Sequence, residues 1–203
     1  MIAIIDYGVG NLFSLSTSLK AIGYDAVITG DSDIIKKADK LILPGVGAFG
    51  DAMAKLRAAG LDKVILEKAG KGKPVMGICL GMQMLFEKSF EYGEHNGLGL
   101  ISGQVVPMEG SLPENLKIPH IGWNRLEIKK ESPIFRYIKD GDCVYFVHSF
   151  YAVDCDEDLI AATEYGKALT AAVARGNVYG CQFHPEKSGN VGLNILKAFC
   201  ERL

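Results

Sequence analysis

No stretch of this chain approaches the roughly 20 consecutive apolar residues that a membrane-spanning helix needs. The first residues, Met1-Ile-Ala-Ile-Ile-Asp6, lack a basic leading segment and reach an acid at position 6. They read as a buried first strand and not as a signal peptide. An excess of one charge is also missing: 22 Lys and Arg stand against 24 Asp and Glu. Basic pairs such as Lys36-Lys37 and Lys129-Lys130 are scattered. That argues against nucleic acid as a partner, because phosphate binding needs clustered cations. Cysteine is sparse and odd in number. Cys79, Cys143, Cys155, Cys181 and Cys200 lie far apart, which suits reduced thiols in the cytoplasm and not a disulfide framework. Cys181 and His184 share a C-x₂-H spacing, yet no second ligand pair accompanies them, so no metal site is expected. Gly45-Val-Gly47 lacks the rest of a phosphate-binding fingerprint, and no cofactor is expected either. Repeats, low-complexity tracts and linkers are absent, so residues 1–203 read as one domain.

What is present is strand–helix alternation. Apolar runs at 2–6, 24–28, 40–44 and 74–78 predict strands. Amphipathic stretches at 11–22, 51–59 and 61–69 predict helices between them. The second half predicts short strands at 144–147, 159–163, 169–174 and 178–183, with a hairpin turn at Arg175-Gly-Asn177 and a last helix from Gly189 to Leu203. Residues 92–99 and 110–119 read as loops. The pattern is that of an α/β protein, a three-layer sandwich around a mostly parallel sheet.

Gly77-Ile-Cys79-Leu-Gly81 lies between the strand at 74–78 and the helical stretch Met82–Phe86. A nucleophile flanked at two residues by glycine on each side is an elbow pattern, in which a tight turn leaves no room for flanking side chains. The sulfur of Cys79 then stands at the carboxyl end of a strand. The following helix N-terminus would favour its thiolate, and the Leu80 N–H is placed to hold an oxyanion. The bland alternative is a buried structural thiol, and the paired glycines weigh against it.

A thiolate nucleophile needs a base, and the base needs a group that fixes its tautomer. His184, 105 positions from Cys79, ends an apolar strand, and Glu186 follows two residues later around Pro185. In an extended segment both side chains point to one side. A surface histidine beside an unrelated acid is the competing reading. His148 is a rival base without an acid nearby; a substrate-site or core role suits it better. His95 and His120 sit in predicted loops with no partner. The turn Pro44-Gly-Val-Gly47 follows a strand expected to lie beside Cys79. It could offer a second oxyanion donor, the Val46 N–H, or be a plain turn.

Taken together, Pro44-Gly-Val-Gly47, Gly77-Ile-Cys-Leu-Gly-Met-Gln83 and Phe183-His-Pro-Glu-Lys-Ser188 resemble the class I (triad) glutamine amidotransferases over essentially the whole chain. The opening Asp6-Tyr-Gly-Val-Gly-Asn11 and the segment Pro119-His-Ile-Gly-Trp-Asn124 resemble the branch that serves histidine biosynthesis. The resemblance implies that Cys79 attacks the side-chain amide of glutamine, His184 shuttles protons and Glu186 orients His184. It implies that Gly47, Gln83, Glu91, Ser149 and Phe150 hold glutamine. It further implies a cyclase partner, a separate (β/α)₈-barrel subunit that receives the ammonia, contacted through Asn11, Ser14, Trp123 and Lys187. Core packing is the alternative for Trp123, the single tryptophan. Other readings are a related α/β cysteine hydrolase, which the His-Pro-Glu segment fits poorly, a metabolite-sensing module, or an amidotransferase subunit for anthranilate, aminobenzoate or pyridoxal phosphate synthesis. The 119–124 segment discriminates among the amidotransferase branches.

Overall fold

A computed structural model of the chain describes residues 1–201. Its elements run β1 (Ile2–Ile5), α1 (Leu12–Ala21), β2 (Ala26–Thr29), α2 (Ser32–Lys37), β3 (Lys40–Gly45), α3 (Phe49–Ala58), α4 (Leu61–Gly70), β4 (Val75–Cys79), α5 (Leu80–Gln83), β5 (Phe86–Ser89), β6 (His95–Asn96), β7 (Ile101–Pro107), β8 (His120–Arg125), β9 (Glu127–Ile128), β10 (Cys143–His148), β11 (Phe150–Val153), β12 (Leu159–Glu164), β13 (Ala168–Arg175), β14 (Val178–Cys181) and α6 (Gly189–Cys200).

The main sheet has eight strands in the order β2-β1-β3-β4-β14-β13-β12-β9. The first five are mutually parallel and the last three are added antiparallel. Parallel strands covered on both faces need continuous apolar runs, and β1 and β4 are buried throughout. Alternation then sorts the side chains. Ala3, Ile5, Leu41 and Leu43 pack with Met53, Leu56 and Ile65 of α3 and α4. Ile2, Ile4, Ile42 and Met76 pack with Leu15, Leu19, Ile195 and Phe199 of α1 and α6 on the other face. The result is a three-layer α/β fold. Among the described residues no helix is long and apolar enough to cross a membrane.

Three departures from the sequence pattern bear on the site. The helix after Cys79 does not run through Phe86; α5 is a single turn and Phe86 begins β5. The carbonyls that would continue it are taken by the returning chain: Leu98 N–H donates to Met84 O at 2.9 Å, Leu100 N–H to Leu85 O at 2.8 Å and Gly99 N–H to Phe86 O at 3.0 Å. A helix of one turn carries little of the macrodipole expected to favour the thiolate. His120 lies in β8, paired with β10, and His95 in β6, paired with β5; neither is in a loop. Small sheets formed by β8/β10 and by β11-β7-β5-β6 went unpredicted, as did α2, which is only six residues long and is started by Asp31 accepting the Asp33 N–H at 2.8 Å. The last helix ends at Cys200; the final two predicted positions, 202 and 203, lie outside the described residues.

The elbow is held by backbone contact. A Cβ on Gly81 would run into the Leu43 carbonyl of β3. Because backbone and not a flexible side chain must yield, Gly81→Ala is expected to cost at least ~3 kcal/mol, at the upper end for overpacking. Urea unfolding measures it, and a loss below ~1 kcal/mol would show that β3 and α5 separate easily.

Candidate active site

Cys79 closes β4 in the middle of the sheet. Register places Gly45 of β3 opposite Cys79 on one side and Cys181 of β14 opposite Ile78 on the other. The segments leaving β3 and β14 therefore flank the sulfur at the carboxyl ends of the strands, where open α/β sheets bind ligands. Cys79 itself has φ 55° and ψ −114°, a strained conformation for a residue with a Cβ, which the packed elbow imposes.

His184 follows β14, its N–H donating to Tyr145 O at 2.9 Å. Ser188 clamps the same segment: its hydroxyl accepts from Tyr145 N–H at 2.9 Å and donates to His184 O at 2.6 Å. Residues Pro185–Lys187 form a 3₁₀ turn and not the extended segment expected. Proline fixes φ for that turn and has no N–H to lose. The turn carries Glu186 back beneath the ring, where its Oε1 meets His184 Nδ1 at 2.8 Å with both side chains buried. A carboxylate at Nδ1 requires a proton there and leaves Nε2 for the sulfur. Burial alone would lower the His184 pKa; hydrogen bonds to Cys79 and Glu186 outweigh it and raise the ring to about 9. The second oxygen, Oε2 of Glu186, has no partner among the described residues.

The sulfur lies 3.9 Å from Val147 O and receives a weak hydrogen bond from Gln182 Nε2 at 3.8 Å. Beside it opens a cavity of about 320 Å³, adequate for a small ligand. Its walls include Val46, Leu80 and His184, and also Gly47, Gln83, Glu91, Ser149 and Phe150. His148 also lines it, in keeping with the substrate-site role open to it, and so do Tyr92, Pro119 and Val147, which the sequence did not mark. Glu91 is pinned at the start of α3, its Oε2 accepting Phe49 N–H at 2.6 Å. Burial raises its pKa, opposed by that N–H. Gln83 donates to Phe150 O at 3.2 Å and to Gln182 Oε1 at 3.0 Å. Tyr7 supports the end of β3, its hydroxyl donating to Pro44 O at 2.8 Å, and a Cβ on Gly45 would stand 2.8 Å from that hydroxyl.

The other histidines separate. His148 reaches the cavity, but burial pushes its pKa down to about 3, so its ring is neutral. His95 packs its ring over Gly50 of α3. His120 is buried behind His148. Cys181 is fully buried and burial raises its thiol pKa. Among the described residues no three His, Cys, Asp or Glu side chains cluster closely enough to hold a metal ion.

Of the residues assigned to partner contact, Trp123 is 57% exposed, so it is not a core residue, and packs edge-on to Tyr145. Lys187 is exposed and Ser14 half-buried. Asn11 borders a cavity of about 10 Å³ behind the triad, shared with Pro44, Gly45, His184 and Glu186. Besides the lining residues Tyr92, Pro119 and Val147, the sequence left Gln182, Ser188 and Tyr7 unmarked. Gln182 had a signal, since it stands two positions before His184 on the same strand end. Ser188 and Tyr7 had none, because their partners are distant in the chain.

The cysteine elbow, the buried His–Glu pair and the sheet order define one class of enzyme. The chain belongs to the class-I glutamine amidotransferases, whose family model matches residues 3–203. Proteins named imidazole glycerol phosphate synthase subunit HisH are similar to it along their whole length. That of Caldanaerobacter subterraneus subsp. tengcongensis is 54% identical, with all of this chain and 98% of that protein aligned. That of Lactococcus lactis subsp. lactis is 51% identical with the same coverage, and that of Aquifex aeolicus is 50% identical over 97% of this chain and 94% of that one. Among solved structures, PurLQS of Thermotoga maritima superposes with a TM-score of 0.76 at 21% identity, covering 98% of this chain and 96% of that one. A structure described as a glutamine amidotransferase gives 0.75 at 19%, covering 97% and 98%. At such identities the structures speak to the fold alone.

Proposed function

We propose that this chain is the glutaminase subunit of a two-subunit imidazole glycerol phosphate synthase. It would work in the cytoplasm as a heterodimer with a (β/α)₈-barrel cyclase subunit. The observation that carries the reading is the convergence of Cys79, His184 and Glu186 on one cavity, in a chain about half identical to proteins bearing that subunit name. Cys79 attacks the side-chain amide carbon of glutamine. The N–H groups of Leu80 and Val46 hold the oxyanion, and imidazolium His184 protonates the leaving nitrogen. Ammonia departs and a glutamyl thioester remains. His184, now neutral, takes a proton from water, which attacks the thioester and releases glutamate. One water is consumed for each ammonia formed.

Glu91 supplies a negative charge at the cavity wall for the α-ammonium of glutamine, and Ser149 and Phe150 line the same cavity. Ammonia would pass to the barrel, which makes imidazole glycerol phosphate and the aminoimidazole-carboxamide ribotide. No cofactor takes part. Residues 1–203 are read as one domain because the eight-stranded sheet draws strands from both ends of the chain. Contact with the barrel is assigned to the exposed Trp123 and Lys187, with Asn11 and Ser14.

Purified chain, alone and with a histidine-pathway barrel subunit, should be assayed for glutamate release. Little activity alone and stimulation of at least ~10²-fold by barrel and nucleotide are expected, an effect of about 3 kcal/mol on the barrier. No glutaminase under either condition would refute the reading. High activity without a partner would refute the dependence on the barrel.

A further inference from the structure

His120 and His148 face each other across the β8/β10 ladder, both buried, with His120 Nδ1 3.1 Å from His148 Nε2. His120 is also stacked between Phe146 and Tyr165. The direction of every hydrogen bond in this group can be deduced. A carbonyl only accepts, so His148 Nδ1, 2.8 Å from Phe150 O, carries a proton. Burial lowers the pKa of both rings, to about 3 for His148 and about 4 for His120, so each holds a single proton at neutral pH. His148 Nε2 is therefore an acceptor, and His120 Nδ1 must be its donor. His120 Nε2 is then bare and accepts from Asn124 Nδ2 at 3.3 Å. The Asn124 amide cannot be turned over, because its Oδ1 accepts Arg125 N–H and its Nδ2 donates to Glu164 O, each at 2.8 Å. At the far end, Phe150 O also receives Gln83 Nε2, and Gln83 reaches Gln182, which touches the Cys79 sulfur.

We propose that His120 is a positioning residue for glutamine hydrolysis: held by Asn124, it locks His148 in the Nδ1–H tautomer and so fixes the Phe150 carbonyl and Gln83 at the wall of the glutamine cavity. His120 acts through His148 and touches no substrate. The inference rests on the glutaminase reading above, and its test separates the two. Both histidines must occupy the Nδ1–H form, the tautomer that a free histidine side chain disfavours in water.

Long-range proton–nitrogen correlation spectra of the ¹⁵N-histidine-labelled full chain at pH 7 should show His120 and His148 protonated at Nδ1 and bare at Nε2. In Asn124→Leu the His120 signal should depart from this pattern. The kinetic arm uses the chain paired with a barrel subunit. His120→Phe keeps an aromatic ring but leaves His148 Nε2 without a donor, and KM for glutamine should rise by about tenfold with a smaller change in kcat. His120→Asn restores a donor at the Nδ1 position and should stay within about threefold of the parent, because the hydrogen bond survives. A packing role predicts the opposite order, with Phe tolerated and Asn impaired. A His148 ring protonated at Nε2 in the parent, or Phe tolerated as well as Asn, would overturn the proposal while parental glutaminase activity stood. Should His120→Phe fail to fold, the parental and Asn124→Leu spectra decide alone.

Discussion

Replacing Cys79 with Ala is expected to lower glutamine hydrolysis by at least ~10⁴-fold, while the complex with a barrel subunit continues to make product from added ammonium. The magnitude follows from how nucleophile knockouts behave in enzymes that act through a covalent intermediate: the remaining oxyanion donors and binding contacts supply only a small part of the intact triad's acceleration. No nearby thiol can substitute. Cys181, on the adjacent strand, is fully buried, with its thiol pKa raised by burial, and Cys143 is exposed in β10, outside the cavity lining. The ammonium arm matters because it separates lost chemistry from lost assembly. Glutamate release surviving in Cys79→Ala would place the nucleophile elsewhere, and ammonium-dependent synthesis failing alongside would point to a broken complex.

Glu186→Gln should cost about 10³–10⁴-fold in kcat, by the same tautomer logic that governs carboxylate–histidine pairs elsewhere. Glu186 Oε1 demands a proton on His184 Nδ1. The amide nitrogen of a glutamine can donate to Nδ1 instead, which moves the ring proton to Nε2 and turns a donor toward the sulfur. A second readout is the pH dependence of stability. The folded-state pKa of His184 is raised above its ordinary value of 6.5 to about 9. A raised histidine pKa contributes stability that is complete below pH 6.5 and is lost as pH climbs through about 9. Part of that contribution comes from Glu186, so parent and variant should differ most in melting temperature near pH 6 and converge toward pH 10. Parallel curves across that range would show that the pair does not hold the proton.

How much of this was legible in the chain depends on the range of the interactions involved. The parallel strands were readable because β1, β4 and, after Lys40, β3 are buried on both faces and so are apolar runs. The elbow was readable because steric need places two glycines within two residues of Cys79. The end of α5 was not, since it stops where carbonyls 84–86 are claimed by N–H groups from 98–100. The order of His184 and Glu186 was visible, whereas the 3₁₀ turn that joins them, in place of an extended segment, was not. His120 read as a loop residue because its strand is defined only by pairing with β10. Gln182 reaches Cys79 across 103 positions, with only its place two residues before His184 to hint at it; Ser188 meets Tyr145 across 43 positions, and no local pattern announces that partner.

The sequence by itself determined the local chemistry: the alternation that makes an α/β sheet, a cysteine that needs a glycine turn, and a histidine with an acid two residues on. Those features depend on sterics and on neighbours within a few residues, and they survive in a linear string. The sequence led to β3 beside β4, but only the tertiary structure decided that β14 flanks β4 on its other edge, and so that the glycine loop and His184 stand on either side of one sulfur. It alone buried the His184–Glu186 pair and stripped His120 and His148 of solvent. Burial and strand order are properties of the packed chain, and they set the protonation of the rings and turned Cys79 from a thiol on a turn into a sulfur with a base on one side and a cavity on the other.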